Sequence, residues 1–230
     1  MKVALVGYGK MGRMVEKLAV ARGHQIIARI SSDTSPEWNA VAQADVCIEF
    51  SRPEAVLKNL AKISQLSVNC VVGTTGWYEQ LETAQALVEK QGTGILYSPN
   101  FSVGIHLFLE IVQHAAKRIS FFPDYAVGGV EYHHQQKLDT PSGTAQKIAA
   151  AINQERPAAA PLVFSSVRCG SFPGTHTVFF DSPIDTLTFT HEARSREGFA
   201  DGALLAGEWL LGKKGLFTLE DYLKEKVKCL

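Results

Sequence analysis

Chemistry concentrates in one polar stretch, Glu131-Tyr132-His133-His134-Gln135-Gln136-Lys137-Leu138-Asp139-Thr140-Pro141-Ser142-Gly143-Thr144. It ends where a helix should begin. Ser142 is a residue type favoured at helix N-caps, and Gly143 and Thr144 then fill the first turn. The free amides of such a turn, with the Thr144 hydroxyl, can hold a carboxylate, and Lys137 supplies the countercharge. His133 or His134 can give up a proton near neutral pH. A metal is not expected: adjacent histidines rarely point at one ion, and no third ligand is evident in the sequence. Of the other histidines, His24, His106 and His114 read as structural, and His176 and His191 have no partner nearby in sequence.

A second constellation opens the chain. Gly7-Tyr8-Gly9-Lys10-Met11-Gly12 is a G-x-G-x-x-G between an apolar run and an amphipathic helix pattern, the context that makes this motif a dinucleotide-binding turn. Gly7 permits the tight turn, Gly9 lets a pyrophosphate approach the backbone, and Gly12 lets the helix pack against the sheet. The helix start offers amides and the positive end of its dipole to phosphate. An acid usually follows the second strand of such a unit and bonds the ribose hydroxyls. Here the segment reads Ile30-Ser31-Ser32-Asp33, so Ser31 and Ser32, with Arg13 or Arg29 nearby, leave both NAD and NADP open. Two more small-residue loops, Gly73-Thr74-Thr75-Gly76 and Ser98-Pro99-Asn100-Phe101-Ser102-Val103-Gly104, follow strand-like runs, where ligands bind in parallel sheets. Together the constellations describe a pocket for a small acid that takes a proton as a hydride arrives.

These residues need a scaffold, and the pattern supplies one. Strands are expected at Lys2–Val6, Gln25–Ile30, Ala44–Ile48, Val68–Val72 and Gly94–Tyr97. Helical periods cover Met11–Ala21, Pro53–Ile63, Tyr78–Lys90 and Val103–Lys117, which predicts a parallel sheet with right-handed crossovers. After about Pro123 the order changes. A strand at Tyr125–Tyr132 and a helix at Ser142–Ile152 precede a Pro157–Pro161 linker. Three strands in succession follow, Leu162–Arg168, Thr175–Phe180 and Thr186–His191, then a helix at Phe199–Leu211. The fold class expected is α/β, a Rossmann-type parallel sheet in residues 1–102 and 197–230 that binds the dinucleotide. A second α+β domain on a mostly antiparallel sheet, residues 103–196, would serve substrate binding and oligomerisation. Lys+Arg and Asp+Glu both number 23, so no broad basic surface for nucleic acid or an anionic membrane is expected. No run is long and apolar enough to span a bilayer. Cys47 and Cys70 sit in apolar runs, Cys169 and Cys229 are scattered, and there is no C-x-x-C. A cytoplasmic protein with reduced thiols is expected.

The glycine turn, the two loops at 73–76 and 98–104 and the Glu131–Thr144 segment resemble, in order, the motifs of the 4-hydroxy-tetrahydrodipicolinate reductase family, formerly dihydrodipicolinate reductase. So do Arg168-Cys169-Gly170, Gly174-Thr175-His176 and Thr190-His191-Glu192-Ala193-Arg194-Ser195-Arg196 followed by Phe199-Ala200-Asp201-Gly202-Ala203. The resemblance spans nearly the whole chain. It implies reduction of a cyclic dicarboxylate imine, formed from 4-hydroxy-tetrahydrodipicolinate with loss of water, by NADH or NADPH. By position it implies His133 as general acid and Lys137 as its carboxylate-binding partner, with His134, Ser142, Gly143 and Thr144 contacting substrate. For the cofactor it implies Gly7, Tyr8, Gly9, Lys10, Met11, Gly12, Gly73, Thr74, Thr75, Ser98, Pro99, Asn100 and Phe101, to which the reading of the second strand's end adds Ser31 and Ser32. It further implies a homotetramer built through the second domain's sheet, and a C-terminal helical tail that returns to the cofactor domain. The chain departs from the family pattern in a glycine turn one residue shorter than in some members, in Ser31, and in a short segment between Asp33 and Asp45.

Overall fold

The computed structural model describes residues 1–31, 38–157 and 159–228. Ser32, Asp33, Ala158 of the linker and Cys229 lie outside them. The chain forms two compact units, Met1–Ser102 with Glu197–Leu230, and Val103–Arg196.

The first unit is a six-stranded, wholly parallel sheet. Its strands are β1 (Lys2–Val6), β2 (Gln25–Ile30), β3 (Val46–Glu49), β4 (Asn69–Val72), β5 (Gly94–Tyr97) and β10 (Gly215–Thr218), in the order β10-β5-β4-β3-β1-β2. The crossovers carry α1 (Lys10–Ala21), α2 (Trp38–Val41), α3 (Pro53–Gln65) and α4 (Leu81–Gln91), the last after a single 3₁₀ turn at Tyr78–Gln80. Helices on both faces bury the central strands apart from the first residues of β1 and β4, which is why β1, β3 and β4 read as near-continuous Val, Ile, Leu and Cys rather than as alternation. The helix α7 (Glu197–Leu210) packs on α1 and on β3, β4 and β5. It comes so close that a Cβ at Gly202 would sit 1.8 Å from the Phe101 carbonyl oxygen. The sequence pattern showed no strand or helix beyond Leu211, where the family resemblance implied only a helical tail returning to this unit. There the chain adds β10 to the sheet edge and ends in α8 (Leu219–Lys228). Asn69 ties this return in place: its amide donates to the carbonyls of Leu210 (2.7 Å) and Lys213 (3.0 Å), and its oxygen accepts from Gly94 N (2.6 Å).

The second unit is a four-stranded sheet in the order β7-β6-β8-β9, with two helices against it. Its strands are β6 (Ala126–His133), β7 (Phe164–Arg168), β8 (Thr175–Asp181) and β9 (Thr186–Glu192). The helices are α5 (Val103–Ile119) and α6 (Gly143–Glu155). Two of its pairings are antiparallel, and β6–β7 is parallel. The apolar stripes of α5 (Ile105, Phe108, Val112, Ala116) and α6 (Ala145, Ile148, Ile152) close over Phe164, Val178 and Phe180. Among the described residues, no helix is long and apolar enough to cross a membrane.

Candidate active site

In the first unit the glycine turn is built as its spacing demands. Gly7 has φ +91°, and a Cβ there would lie 2.1 Å from the Phe50 carbonyl oxygen. At Gly12 a Cβ would lie 2.3 Å from the Gly7 oxygen. Gly9 differs: nothing lies within 4 Å of the position its Cβ would take. Two glycines therefore serve the protein's own packing, while the third keeps a surface clear above the start of α1. Gly9 caps α1 with no side-chain acceptor, and the first turn holds no acid, so the amides stay available to an anion. Lys10 is exposed and Met11 half-buried beside them.

The loops after β4 and β5 are held from beneath. Phe50, which follows β3 directly and was missed in the sequence, packs its ring where a Cβ on Gly73 would be, and meets the Phe101 ring edge-on at 6.3 Å. Glu49 is fully buried. It accepts from the Thr74 hydroxyl (2.7 Å), from Asn59 Nδ2 (3.1 Å) and from the Ser51 hydroxyl, and burial pushes its carboxyl above the usual range. Thr74 also accepts from Ser51 N (2.8 Å) and lends its carbonyl to the Trp77 indole (2.9 Å). Its hydroxyl is thereby committed to holding the loop, while Thr75 is exposed. Ser98, also buried, donates to the Asn100 carbonyl (2.7 Å), Asn100 Oδ1 accepts from Ser102 N (2.8 Å), and Pro99 is exposed.

At the end of β2, Ser31 is half-buried. Of the two cations the sequence offered for this position, Arg29 is bound to Glu16, which also accepts from the Tyr8 hydroxyl. These bonds from Arg29, against burial, hold the Glu16 carboxyl below its usual range. Arg13 lies over the Tyr8 ring, 5.5 Å from its centre.

In the second unit the register of the sheet assembles what the sequence scatters. Glu131 on β6 faces Ser166 on β7 and His176 on β8, and His133 faces Arg168. Alternation places Glu131 and His133 on the face that carries the core. The apolar layer of Phe164, Val178 and Phe180 thus gives way, toward the start of α6, to a buried polar cluster. Glu131 is fully buried. Its Oε1 accepts from Ser142 N (2.9 Å), Ser166 Oγ (2.7 Å) and Arg168 Nη2 (2.9 Å). Burial alone would raise this carboxyl, but the three donors outweigh it and hold it at about 2. Its Oε2 lies 3.4 Å from His133 Nδ1 and 3.6 Å from His176 Nε2. The two rings meet edge-to-face at 5.2 Å. Burial lowers both imidazoles, His176 to about 4.

Ser142 is the N-cap of α6, its hydroxyl accepting from Ala145 N (3.1 Å) and lying 3.3 Å from His176 Nε2. Its polar atoms are all engaged within the protein. Lys137 Nζ donates to Asp139 Oδ1 (2.7 Å), and Gly143 N donates to the other oxygen of the same carboxylate (3.3 Å). A Cβ on Gly143 would meet nothing within 4 Å, Thr144 is half-buried behind it, and His134 is half-buried with its carbonyl accepting from Lys137 N (3.1 Å).

Glu131, His133 and His176 are also the three residues, among those described, whose ligand atoms lie within 4.8 Å of one another as a metal would require. The sequence reading found no third ligand beside His133 and His134; the structure supplies two, and leaves His134 out. The Arg168 guanidinium already bound to the Glu131 carboxylate opposes a cation there. Of these groups, His176, Ser166 and Arg168 lie 33 or more residues from His133, and only pairing across the sheet joins them to it.

A parallel sheet whose first strand turns through three such glycines into an uncapped helix, on a chain that also carries a buried acid–imidazole cluster, is that of an NAD(P)H-dependent oxidoreductase. A family model described as dihydrodipicolinate reductase, N-terminus, matches residues 1–101, and one described as dihydrodipicolinate reductase, C-terminus, matches residues 104–223. The chain belongs to this family. It is 36% identical to the 4-hydroxy-tetrahydrodipicolinate reductase of Christiangramia forsetii, over 99% of this chain and 100% of that one. It is 33% identical to the enzyme of the same name from Neisseria gonorrhoeae, over 97% of each. Among solved structures it is similar to dipicolinate-bound dihydrodipicolinate reductase from Paenisporosarcina sp. TG-14, with TM-score 0.78 and 25% identity over 95% of this chain and 97% of that one. An amine dehydrogenase from Mycobacterium smegmatis, 10% identical over 95% of each chain with TM-score 0.62, shares the fold.

Proposed function

We propose that the chain reduces 4-hydroxy-tetrahydrodipicolinate to tetrahydrodipicolinate in the diaminopimelate route to lysine, and that His133 and Lys137 carry its proton and charge chemistry. Loss of the 4-hydroxyl as water leaves an unsaturated cyclic imine, and reduction adds one hydride and one proton. NADH or NADPH supplies the hydride. Gly7, Gly9 and Gly12 with the first turn of α1 would hold its pyrophosphate. Tyr8, Lys10, Met11, Ser31 and Ser32 would flank the adenosine side, and the loops at Gly73–Thr75 and Ser98–Phe101 the nicotinamide side.

The observation that carries the reading is the Asp139 carboxylate, which bridges the Lys137 ammonium and the Gly143 amide. Lys137 and the start of α6 are thus spaced for one carboxylate between them, and a substrate carboxylate would take that position, with Thr144 and His134 at its sides. Ser142 shapes the site from beneath. His133 is the proton donor. Burial, with Lys137 and Arg168, holds its pKa down, while Glu131 and the negative charge of a bound dicarboxylate raise it. The dipicolinate bound by the Paenisporosarcina reductase is a planar dicarboxylate of the kind this site would take.

The free thiols of Cys47, Cys70 and Cys169 support a cytoplasmic location. The apolar side chains left exposed around the second sheet, Leu187, Val167 and Phe172 among them, support a homotetramer assembled there. The test is nicotinamide oxidation with freshly generated substrate. His133→Ala should lower kcat by roughly 10²–10⁴, the range of general acid catalysis, and pyridine-2,6-dicarboxylate should compete with substrate. Undiminished turnover in that variant removes His133 from the chemistry.

A further inference from the structure

We infer that Glu131 is the positioning residue for His133: it fixes which ring nitrogen keeps its proton and holds up the proton affinity of the other. The inference rests on His133 being the proton donor.

The two oxygens of Glu131 have divided tasks. Oε1 is saturated by Ser142 N, Ser166 Oγ and Arg168 Nη2, which immobilise the carboxylate and keep it ionised. Oε2 accepts none of these bonds and lies beside His133 Nδ1, 3.4 Å away, as an ion-pair neighbour rather than a hydrogen-bond partner. Nδ1 is itself buried, with no other acceptor in reach among the described residues. An anion beside it favours the Nδ1–H form and leaves Nε2 to exchange the catalytic proton, the arrangement by which a carboxylate orients a histidine. The separation is longer than a charge-assisted bond of about 2.7–2.9 Å, and such contacts tighten when the ring becomes charged during turnover. What exposure the His133 side chain has, 9%, lies away from Nδ1. The Nε2 edge is bordered by Gly174, at φ +148°, where a Cβ would come within 3.1 Å of Nε2. The glycine thus keeps the working nitrogen clear.

The charges around the ring give Glu131 a necessary electrostatic part. Lys137 from the loop and Arg168 from β7 lower the His133 pKa, Asp139 from the loop raises it, and His176 from β8 faces the ring edge-on. Without Glu131, burial and two cations would leave the imidazole hard to protonate. His176 shares Oε2 but titrates at about 4, so near neutral pH it does not compete for the carboxylate as a cation.

The experiment compares wild type, Glu131→Gln and Glu131→Asp by the pH dependence of kcat/KM and by ¹⁵N NMR of the histidines in the full chain. In Glu131→Gln the alkaline limb of kcat/KM and the His133 titration should both move to lower pH. Each unit of that movement appears as roughly tenfold lower kcat/KM above the limb, with KM little altered. Glu131→Asp, which keeps the charge, should restore most of the limb position. Arg168→Gln should move the limb the other way, and it carries the test should Glu131→Gln not fold. A His133 tautomer and titration unchanged in Glu131→Gln overturn the inference. A shifted His133 titration with unchanged turnover leaves the Glu131–His133 coupling standing and overturns the proton-donor reading instead. Loss of activity on chelation, restored by zinc, would assign the three side chains to a cation and overturn it as well.

Discussion

Gly9→Ala separates the ligand's needs from the protein's within one turn. The backbone at Gly9 has φ −88° and ψ −152°, an extended conformation open to alanine, and the methyl group would meet nothing within 4 Å. Two small effects on stability then oppose each other. Alanine restricts the unfolded chain, worth about 0.4–1 kcal/mol in favour of folding. Glycine is the better N-cap by roughly 0.5–1 kcal/mol. The net change should stay within about 0.5 kcal/mol, or roughly 2 °C in Tm for a chain of this size. A pyrophosphate laid on the turn would meet the new methyl directly. Forcing an extra methyl into a close contact costs about 1–3 kcal/mol, a roughly 5- to 150-fold rise in the dinucleotide Kd. Scanning calorimetry and nicotinamide fluorescence titration read the two effects separately. Gly12→Ala is the contrast: its Cβ would press within 2.3 Å of the Gly7 oxygen, so it should lose stability and affinity together. A Gly9→Ala protein that binds dinucleotide as the parent does, or that melts as Gly12→Ala does, refutes the division of roles among the glycines.

The remaining expectations concern the second unit. Asp139→Asn removes the carboxylate that bridges Lys137 and the start of α6. The pair it breaks is 23% and 53% exposed and therefore worth only about 0.2–1 kcal/mol. Pyridine-2,6-dicarboxylate should bind roughly 1.4- to 5-fold tighter by titration calorimetry, and weaker binding would mean that Asp139 orients Lys137 rather than competing for it. Stability should fall as pH drops from about 6.5 toward 4. His176 is held below its unfolded value, so the unfolded chain binds the extra proton, and by pH 4 this amounts to roughly 3 kcal/mol. Burial lowers His133 too and adds in the same direction, whereas Glu131 loses its stabilising charge only below about pH 4.5. Thermal melts of His176→Gln across this range should show a flatter slope, and an unchanged slope would clear His176 of the effect.

What the sequence disclosed, and what it withheld, follows from the range of the interactions involved. The glycine turn is legible because its strand, its turn and its helix are contiguous, so the motif carries its own confirming context. The Ser142 cap is legible for the same reason: the serine and the Ala145 amide it captures are three residues apart. Glu131 stood inside the polar segment yet carried no assigned role, because its partners reach it across β7 and β8, and a one-residue slip of either strand would turn them to the other face. The last strand escaped because Gly215–Thr218 is only four residues long and uniformly half-buried, which leaves no alternation to read. Its place in the sheet is set by tertiary groups, the Asn69 side chain among them. Phe50 reads as one more apolar residue closing a strand. Only its contacts with Gly73 and Phe101 mark it as the support of two loops.

The two buried glutamates show how the same residue type takes different work from different partners. Glu49 and Glu131 each lie at or near the end of a strand, fully buried, beneath loops proposed to bind ligand. Glu49 is met by Ser51, Thr74 and Asn59, all neutral, and burial keeps its pKa high. A carboxyl so placed gains little from its charge, and its value is geometric: it fixes the loop after β3 against the loop after β4. Glu131 is met by Ser142, by Ser166 and also by Arg168, and against burial these donors drive the carboxyl down to about 2. Ser142, Ser166 and Arg168 together therefore hold a buried anion at a position of the kind where Glu49 is only a hydrogen-bond acceptor. Such an anion is expensive to create, and a fold has no geometric need of it, since neutral donors already serve Glu49. The reason for placing the charge must be a group that answers to charge, and the nearest one on its free side is the imidazole of His133.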